Sequence, residues 1–432
     1  MTARAGITVL GPEAAGDGRA ATAGLIAGAA VVLGARRHLL AAGVDPAEPR
    51  AVVLGPLAPA LDRLAATEGP AVVLASGDPG FFGVVRCLAE RFGPGALDVR
   101  PGVSSVAGAF ARLGLPWDDA VVVSAHGRDP RTAFNVCRAQ RKVAVLTAPG
   151  AGPAEIGAAL LATPGVEREL VVATDLGSAG ERVERVTPAQ AAGRDWPGVH
   201  VVLCLGVDGA GGGGTGAGSG LGSGVGAMRV VAGAVPVAEG GWGLPEDAFE
   251  HRDSLVTKAE VRALALARLG PRLGELVWDV GAGSGSVAVE CARLGAAVVA
   301  VERAEDGVAR IRANAAAHRV DVAVVHGSAP EALDPLPEPD AVFVGGGGAD
   351  LPAIVTACAG RARRTVVVTL VAVDRLPGVR TALLAAGFTA EGVQLQASRL
   401  APLPGEVTRL AAANPVFVLW GTRVDPLSGE LA

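Results

Sequence analysis

The sequence predicts an α/β protein whose second half is a doubly wound, seven-stranded sheet. Three observations carry this prediction. Short apolar runs of the kind that form buried strands alternate with Ala- and Arg-rich stretches of helical length. One such run, Val277-Trp278-Asp279-Val280, passes straight into a glycine-dense turn, Gly281-Ala282-Gly283-Ser284-Gly285. The next run, residues 298–301, closes on Glu302, roughly 20 residues after the first glycine, where a carboxylate reaches a ribose.

In chain order, the candidate strands of the first half are 7–10, 30–33, 52–54, 72–74, 97–99, 121–123, 143–146, 170–173 and 200–205. Residues 20–35 are uncharged, but Gly24, Gly28 and Gly34 interrupt them and no basic start precedes them. They read as helix then strand, not as a membrane or export segment. Residues 209–227, GAGGGGTGAGSGLGSGVGA, carry no charge and almost nothing to bury. A Gly-rich coil of that length spans on the order of 25 Å, enough to tether two domains without fixing their orientation. The expected division is 1–206, a linker at 207–227, and 228–432; an ordered lid is the alternative for the Gly-rich stretch. The candidate strands of the second half are 275–280, 296–301, 321–325, 340–344, 364–370, 391–397 and 415–420. Helical crossovers between them make a doubly wound sheet covered on both faces.

The Gly-x-Gly-x-Gly spacing indicates a nucleotide-like ligand and bears on which one. A dinucleotide turn reads Gly-x-Gly-x-x-Gly, with its last glycine where Ser286 stands here. S-adenosylmethionine has no pyrophosphate to cradle and fits better; an ordinary strand-to-helix corner is the bland alternative. In doubly wound sheets ligands bind at the carboxyl ends of the strands. The turns Gly327-Ser328-Ala329-Pro330-Glu331 and Gly345-Gly346-Gly347-Gly348 join the first turn and Glu302 there, so four loops should converge on one crevice. In the first half, Ala75-Ser76-Gly77-Asp78-Pro79-Gly80, Pro101-Gly102-Val103-Ser104-Ser105 and Ser124-Ala125-His126-Gly127-Arg128 each follow a strand and bring bare amides and hydroxyls to a sheet edge.

Composition bounds the rest. A chain of 432 residues exceeds one hydrophobic core. A net charge of −5 and only 3 % aromatic residues offer neither a basic face nor stacking platforms, so no nucleic-acid partner is expected. Arg128, Arg131, Arg138, Arg141 and Lys142 form a local basic cluster, either a solvated helix face or a site for a polycarboxylate. Five scattered cysteines and six scattered histidines show no metal-ligand spacing and no disulfide framework, which points to a reducing cytoplasm. There is no Cys/His pair and no nucleophile elbow.

With these motifs in view, residues 1 to about 206 resemble the tetrapyrrole methylases, in the branch that modifies corrin precursors at carbon 5. The resemblance is carried by LASGDPGFFG, PGVSSVAGAFARLGLPWDDA, VSAHGR and DLGSAGERV. Residues 241–423 resemble class I methyltransferases acting at carbon 15, through GLPEDAFEH, VTKAEVRALALARLG, WDVGAGSGSVAVE, GSAPEAL, DAVFVGGGG and AANPVFVLWG. The chain departs from the first family at residues 9–16, where only part of a Gly-x-Gly-Pro-Gly turn is present, and at Asp175, where glutamate is common.

The resemblance implies a two-lobed methylase domain followed by the Rossmann-like domain, each with its own S-adenosylmethionine. It also implies methylation of precorrin-6B at carbons 5 and 15 with loss of the ring C acetate carboxyl, in cobalamin biosynthesis. In the second domain it implies that Gly281, Ala282, Gly283, Ser284 and Gly285 approach the methionine portion, Glu302 takes the ribose, Ala329 packs at the adenine, and Ser328 is a further cofactor contact. Thr257 is implied as a cofactor contact; with Glu260 it also reads as a capping box. Lys258 and Arg262 share a helix face that either holds substrate carboxylates or is solvated. Gly346 and Gly347 let the flat macrocycle approach the backbone. In the first domain Ser76, Gly77, Asp78, Ser104 and Ser105 line the cofactor cleft, with His126 and Arg128 nearby. His126 and Lys258 are the acid/base candidates. A homo-oligomer is expected, and whether the substrate is metal-free or a cobalt complex stays open. A two-domain NAD(P)-dependent oxidoreductase and a non-catalytic cofactor sensor are the competing classes.

Overall fold

The structure, a computed structural model, describes residues 6–11, 19–126, 129–163, 165–207, 241–251 and 257–424. The expected linker at 209–227, the departing turn at 12–16 and Arg128 lie outside the described residues. The chain divides into two compact units, Met1–Trp117 with Ala173–Val183, and Asp118–Val172 with Glu184–Ala432.

The first unit alternates β1 (Ile7–Leu10), α1 (Arg19–Ala27), β2 (Val31–Gly34), α2 (Arg36–Ala41), β3 (Ala51–Val53), α3 (Leu57–Ala66), β4 (Ala71–Leu74), α4 (Val85–Phe92), β5 (Leu97–Arg100) and α5 (Ser105–Leu113). The strands pair in parallel in the order β3-β2-β4-β1-β5. Successive side chains point to opposite faces. Val9, Leu33 and Val73 therefore enter one core while Leu10, Val32 and Leu74 enter the other. Both faces are covered by helices, which is why these strands are unbroken apolar runs.

From Asp118 the chain runs β6 (Val121–Ser124), α6 (Pro130–Ala139), β7 (Lys142–Leu146), α7 (Pro153–Leu161), β8 (Arg168–Thr174), β9 (Arg182–Val186), α8 (Pro188–Ala192) and β10 (His200–Gly206), in the second unit except for the end of β8 and the start of β9. These strands form a sheet of order β6-β7-β10-β8-β9. The second half then runs α9 (Ala259–Leu269), β11 (Leu276–Val280), α10 (Ser286–Arg293), β12 (Ala297–Glu302), α11 (Glu305–Ala317), β13 (Ala323–His326), β14 (Ala341–Val344), α12 (Leu351–Arg361), β15 (Thr365–Leu370), α13 (Leu376–Ala385), β16 (Glu391–Leu395), β17 (Ser398–Leu403), β18 (Val407–Ala412) and β19 (Val416–Thr422).

Its main sheet has seven strands in the order β13-β12-β11-β14-β15-β19-β16, with β11 to β15 parallel and β19 antiparallel to its neighbours. Leu276, Trp278 and Val280 pack on one face, and Val277 on the other with Phe343 and Val298. The strand order reverses beside β11, which has β12 on one side and β14 on the other. That reversal is where a crevice opens in such sheets.

Every expected strand forms within two residues of its expected ends. Three strands are additional. The edge strand β9 reads RVERV and the hairpin β17–β18 is exposed along most of its length, so neither shows an apolar run. The basic cluster does not act as one surface. Arg138 is buried, donating to Asn135, Thr163 and the Ala159 carbonyl, and Lys142 pairs with Asp119 at 2.6 Å. Arg131 turns to Asp129 and Asp340. Helix α6 packs beside β12 within the second unit.

Among the described residues no helix is long and apolar enough to cross a membrane, and no group of His, Cys, Asp and Glu is placed to hold a metal ion. Cys87, Cys137, Cys204, Cys291 and Cys358 are free thiols.

Candidate functional site

The buried strand β11 delivers the chain into the glycine turn. Gly281 has φ +72° and a Cβ on it would lie 3.1 Å from the Gly346 amide nitrogen, so only glycine lets these two loops touch. Gly285 opens α10 at φ +74°, and a Cβ there would meet Ile311 at 3.0 Å. At Gly283 a Cβ would meet nothing within 4 Å. Asn314 ties the turn down from behind, donating to the Ser284 carbonyl at 2.8 Å.

Two carboxylates organise this turn. Glu302, 8 % exposed at the end of β12, accepts from the Gly283 amide at 2.8 Å through Oε2 and from the Ala304 amide at 2.9 Å through Oε1. Gly307 makes room for it, since a Cβ there would lie 2.7 Å from Glu302 Cγ. Asp279 is fully buried in β11; its Oδ2 accepts from the Ala288 amide at 2.9 Å, and its Oδ1 has no partner. Burial pushes this carboxyl up to about 7, and the nearby Glu302 charge adds to the rise.

The four loops meet around a cavity of ≈220 Å³ whose lining includes Gly281, Glu302, Ser328, Ala329, Gly346 and Gly347. Arg303 and Asp350 add a cation and an anion to its wall. A larger hollow, ≈730 Å³, lies between α13 and β16. Its lining is mostly apolar, including Leu376, Leu384, Val393 and Phe417, and none of the glycine turns reaches it. The smaller cavity, at the strand-order reversal with convergent polar groups, is the better functional candidate.

Other expected residues fall elsewhere. Ser284 is buried beneath the turn, and a side chain at Gly285 would face α11. Ala282 is half-buried and its amide donates to the Val301 carbonyl. Thr257 is half-buried and is not a capping residue: Lys258 is the N-cap of α9, with no side-chain cap. The capping box fails because Arg399 draws both Glu260 and Glu246 to itself at 2.6 Å, while Glu246 takes the Ala259 amide. Arg262 is turned into the interior. It is 0 % exposed, paired with buried Glu290 at 2.6 Å, and donates to the Thr257 and Leu244 carbonyls. Lys258, the half-buried N-cap residue, and Arg262, fully buried, do not form one solvated basic face.

In the first unit the turns after β4 and β5 pack on Gly11. A Cβ at Gly11 would lie 2.2 Å from the Gly77 carbonyl oxygen and 2.4 Å from the Gly102 nitrogen. Ser104 caps α5 by accepting from the Ala107 amide, and Asp78 accepts from the Gly80 amide. Ser105 is half-buried in the first turn of α5. Ser76 is exposed, with its hydroxyl 3.0 Å from His38 Nε2 and accepting from Arg37 at 3.1 Å. His126 belongs to the second unit and is exposed. Sequence reasoning missed Asp279, Arg303, Asp350, Arg37 and His38. Asp279 had a signal, a carboxylate interrupting an apolar strand; the others had none.

Comparison with known proteins places both halves. Residues 19–192 match the family described as tetrapyrrole (corrin/porphyrin) methylases, and residues 247–423 match the precorrin methyltransferase domain. The chain is 38 % identical to a precorrin-6Y C(5,15)-methyltransferase (decarboxylating) of a Sinorhizobium species, over 76 % of this chain and 74 % of that one. It is also 38 % identical to a probable cobalt-precorrin-6B C(15)-methyltransferase (decarboxylating) of Pyrobaculum calidifontis, over 41 % of this chain and 94 % of that one. The crystal structure of precorrin-6y C5,15-methyltransferase from Geobacter metallireducens matches at 32 % identity, 44 % of this chain, 98 % of that chain and a TM-score of 0.40.

Proposed function

Because this chain belongs to the family of decarboxylating precorrin-6Y C(5,15)-methyltransferases, we propose that each half holds its own S-adenosylmethionine, the first for carbon 5 and the second for carbon 15 and the decarboxylation. The chain is an enzyme of cobalamin biosynthesis that methylates a reduced tetrapyrrole and removes a carboxyl group. The division into 1–206, 207–227 and 228–432 belongs to this reading, supported by one family match ending at 192 and the other starting at 247.

The residues of the second cavity suit the cofactor. Each Glu302 oxygen spends one lone pair on a backbone amide and keeps another for a ribose hydroxyl. Gly283 leaves open space where a side chain would stand, and Ala329 offers a small apolar wall for the adenine. Bound there, S-adenosylmethionine supplies a methyl group on a positively charged sulfur. The bridge carbon of the macrocycle is enamine-like and needs no side-chain nucleophile. The protein's task is to align carbon and methyl and to exclude water, worth about 7 to 11 kcal/mol in favourable cases. Gly346, with nothing within 4 Å of a would-be Cβ, gives the macrocycle a flat approach. Decarboxylation of the ring C acetate draws on the neighbouring imine of the methylated macrocycle, so the site must desolvate the carboxylate and hold the ring.

In the first half Ser76, Gly77, Asp78, Ser104 and Ser105 form the proposed cofactor wall, supported by the tight packing of their turns on Gly11. The partner is a small tetrapyrrole, and no nucleic acid is involved. Free thiols throughout support a cytoplasmic setting. Exposed Leu400, Val407 and Leu410 on the β17–β18 hairpin support a homo-oligomer. The observation that carries the reading is the convergence of Glu302 and the glycine loops on one cavity at the strand reversal. Incubation with S-adenosylmethionine and precorrin-6Y (precorrin-6B) tests it: S-adenosylhomocysteine should form as the macrocycle gains methyls, and an unchanged macrocycle would refute it. The cobalt complex is the second reading, favoured by the name of the Pyrobaculum relative.

A further inference from the structure

We propose that the second half is held to the first by a dedicated dock, in which α6 and the start of β8 grip the amino-terminal ends of the seven-stranded sheet. Every contact lies within the second compact unit. Asn135, 2 % exposed on α6, donates to the Gly274 carbonyl at 3.0 Å, just ahead of β11. A Cβ on Gly274 would lie 2.9 Å from Thr132 Cγ2, so the helix touches bare backbone there. Arg131 reaches Asp340 at 3.2 Å, ahead of β14, and Asp340 also accepts from the Leu276 amide.

Arg168 is the pivot. Its side chain is 1 % exposed and donates to the carbonyls of Cys137, Arg138 and Glu167 and, at 3.0 Å, to Asp321 ahead of β13. Three of its bonds fix the guanidinium within the first half; the fourth is offered to the second half. Ala139 and Val166 add an apolar border by packing on the core beneath β11 and β12. A buried guanidinium whose remaining charge is met across an interface marks a specific contact, because separation would strand that charge.

The dock uses the end of the sheet opposite the cofactor cavity. Along β11 the two ends are about 16 Å apart at roughly 3.3 Å per residue, so docking leaves the glycine loops clear. A covalent link at residues 207–227 is then unnecessary for association.

The test uses the full chain with a protease site placed within residues 209–227 and an affinity tag at the amino terminus. After cleavage, the tagged first fragment should retain the untagged second fragment on the resin. Asp321→Lys, at a side chain 28 % exposed and away from the cavity, should weaken retention at least tenfold. Asp321→Asn should weaken it less. Thr132→Arg, which forces bulk against Gly274, should weaken retention through packing without touching the ion pair. S-adenosylmethionine binding by the Asp321→Lys protein should be unchanged, which separates failure of the dock from failure of the functional reading. Dissociation of the unmutated fragments on cleavage, or equal retention by Asp321→Lys and the parent, would overturn the proposal.

Discussion

Replacing Glu302 with alanine removes the proposed acceptor for both ribose hydroxyls and loosens the turn that carries Gly283. Hydrogen bonds to a carboxylate are each worth about 1.5 to 3 kcal/mol, so the lower figure for two of them gives about 3 kcal/mol. That corresponds to roughly a hundredfold in affinity, and water entering the emptied space lowers the expected loss to no less than about tenfold. A second loss comes from the protein itself. The Gly283 and Ala304 amides, which donate to Glu302 at 2.8 and 2.9 Å, lose their acceptor. Glu302→Gln keeps one carbonyl oxygen but sets an amide N–H₂ against one of these donors, and should fall between the parent and Glu302→Ala. Calorimetric titration of the full chain with S-adenosylmethionine reads the effect: the parent should show two sites, and Glu302→Ala one at the same ligand concentrations. Two sites of unchanged affinity in Glu302→Ala would refute the assignment of this carboxylate.

Two further predictions concern groups the fold itself uses. Burial holds the Asp279 carboxyl up to about 7, so the folded protein keeps a proton that the unfolded chain releases near pH 4. The stability from this group is full below about pH 4 and is lost as pH rises towards 7. Asp279→Asn keeps an acceptor for the Ala288 amide without the charge; its melting temperature relative to the parent should climb across that window, and a constant difference would count against the assignment. Arg262→Met strands the buried Glu290 charge and should cost about 3 to 5 kcal/mol by urea unfolding. Unchanged stability with a raised KM for the macrocycle would instead return Arg262 to the substrate.

The alternation of strand and helix was legible because both faces of each main sheet are covered, which turns strands into apolar runs with sharp ends. Val277 to Val280 and residues 298–301 are of this kind. The turn glycines and Glu302 were legible because backbone crowding at the strand reversal leaves few residue choices. Helix α9 was not. Thr257, Lys258 and Glu260 match a capping box locally, yet Arg399 lies 139 residues from Glu260 in sequence and competes for it in space. Arg262 reads as one face of a surface helix, but its guanidinium satisfies buried carbonyls and Glu290, a partner no local pattern reveals. The basic cluster misled for the same reason, since Arg131 and Arg138 meet partners brought in from distant segments.

If the second-half cavity carries both the carbon 15 methylation and the decarboxylation, blocking it should stop both. Gly346→Trp fills that cavity, and Ser328→Trp does so from the opposite loop; neither position has a left-handed backbone to strain. Each variant is to be incubated with S-adenosylmethionine and precorrin-6Y labelled in the ring C acetate carboxyl, with product mass and released carbon dioxide followed together. Carbon 15 methylation and carbon dioxide release should disappear in parallel in both variants. Release of labelled carbon dioxide at the parental rate while carbon 15 stays unmethylated would show that decarboxylation belongs to another site.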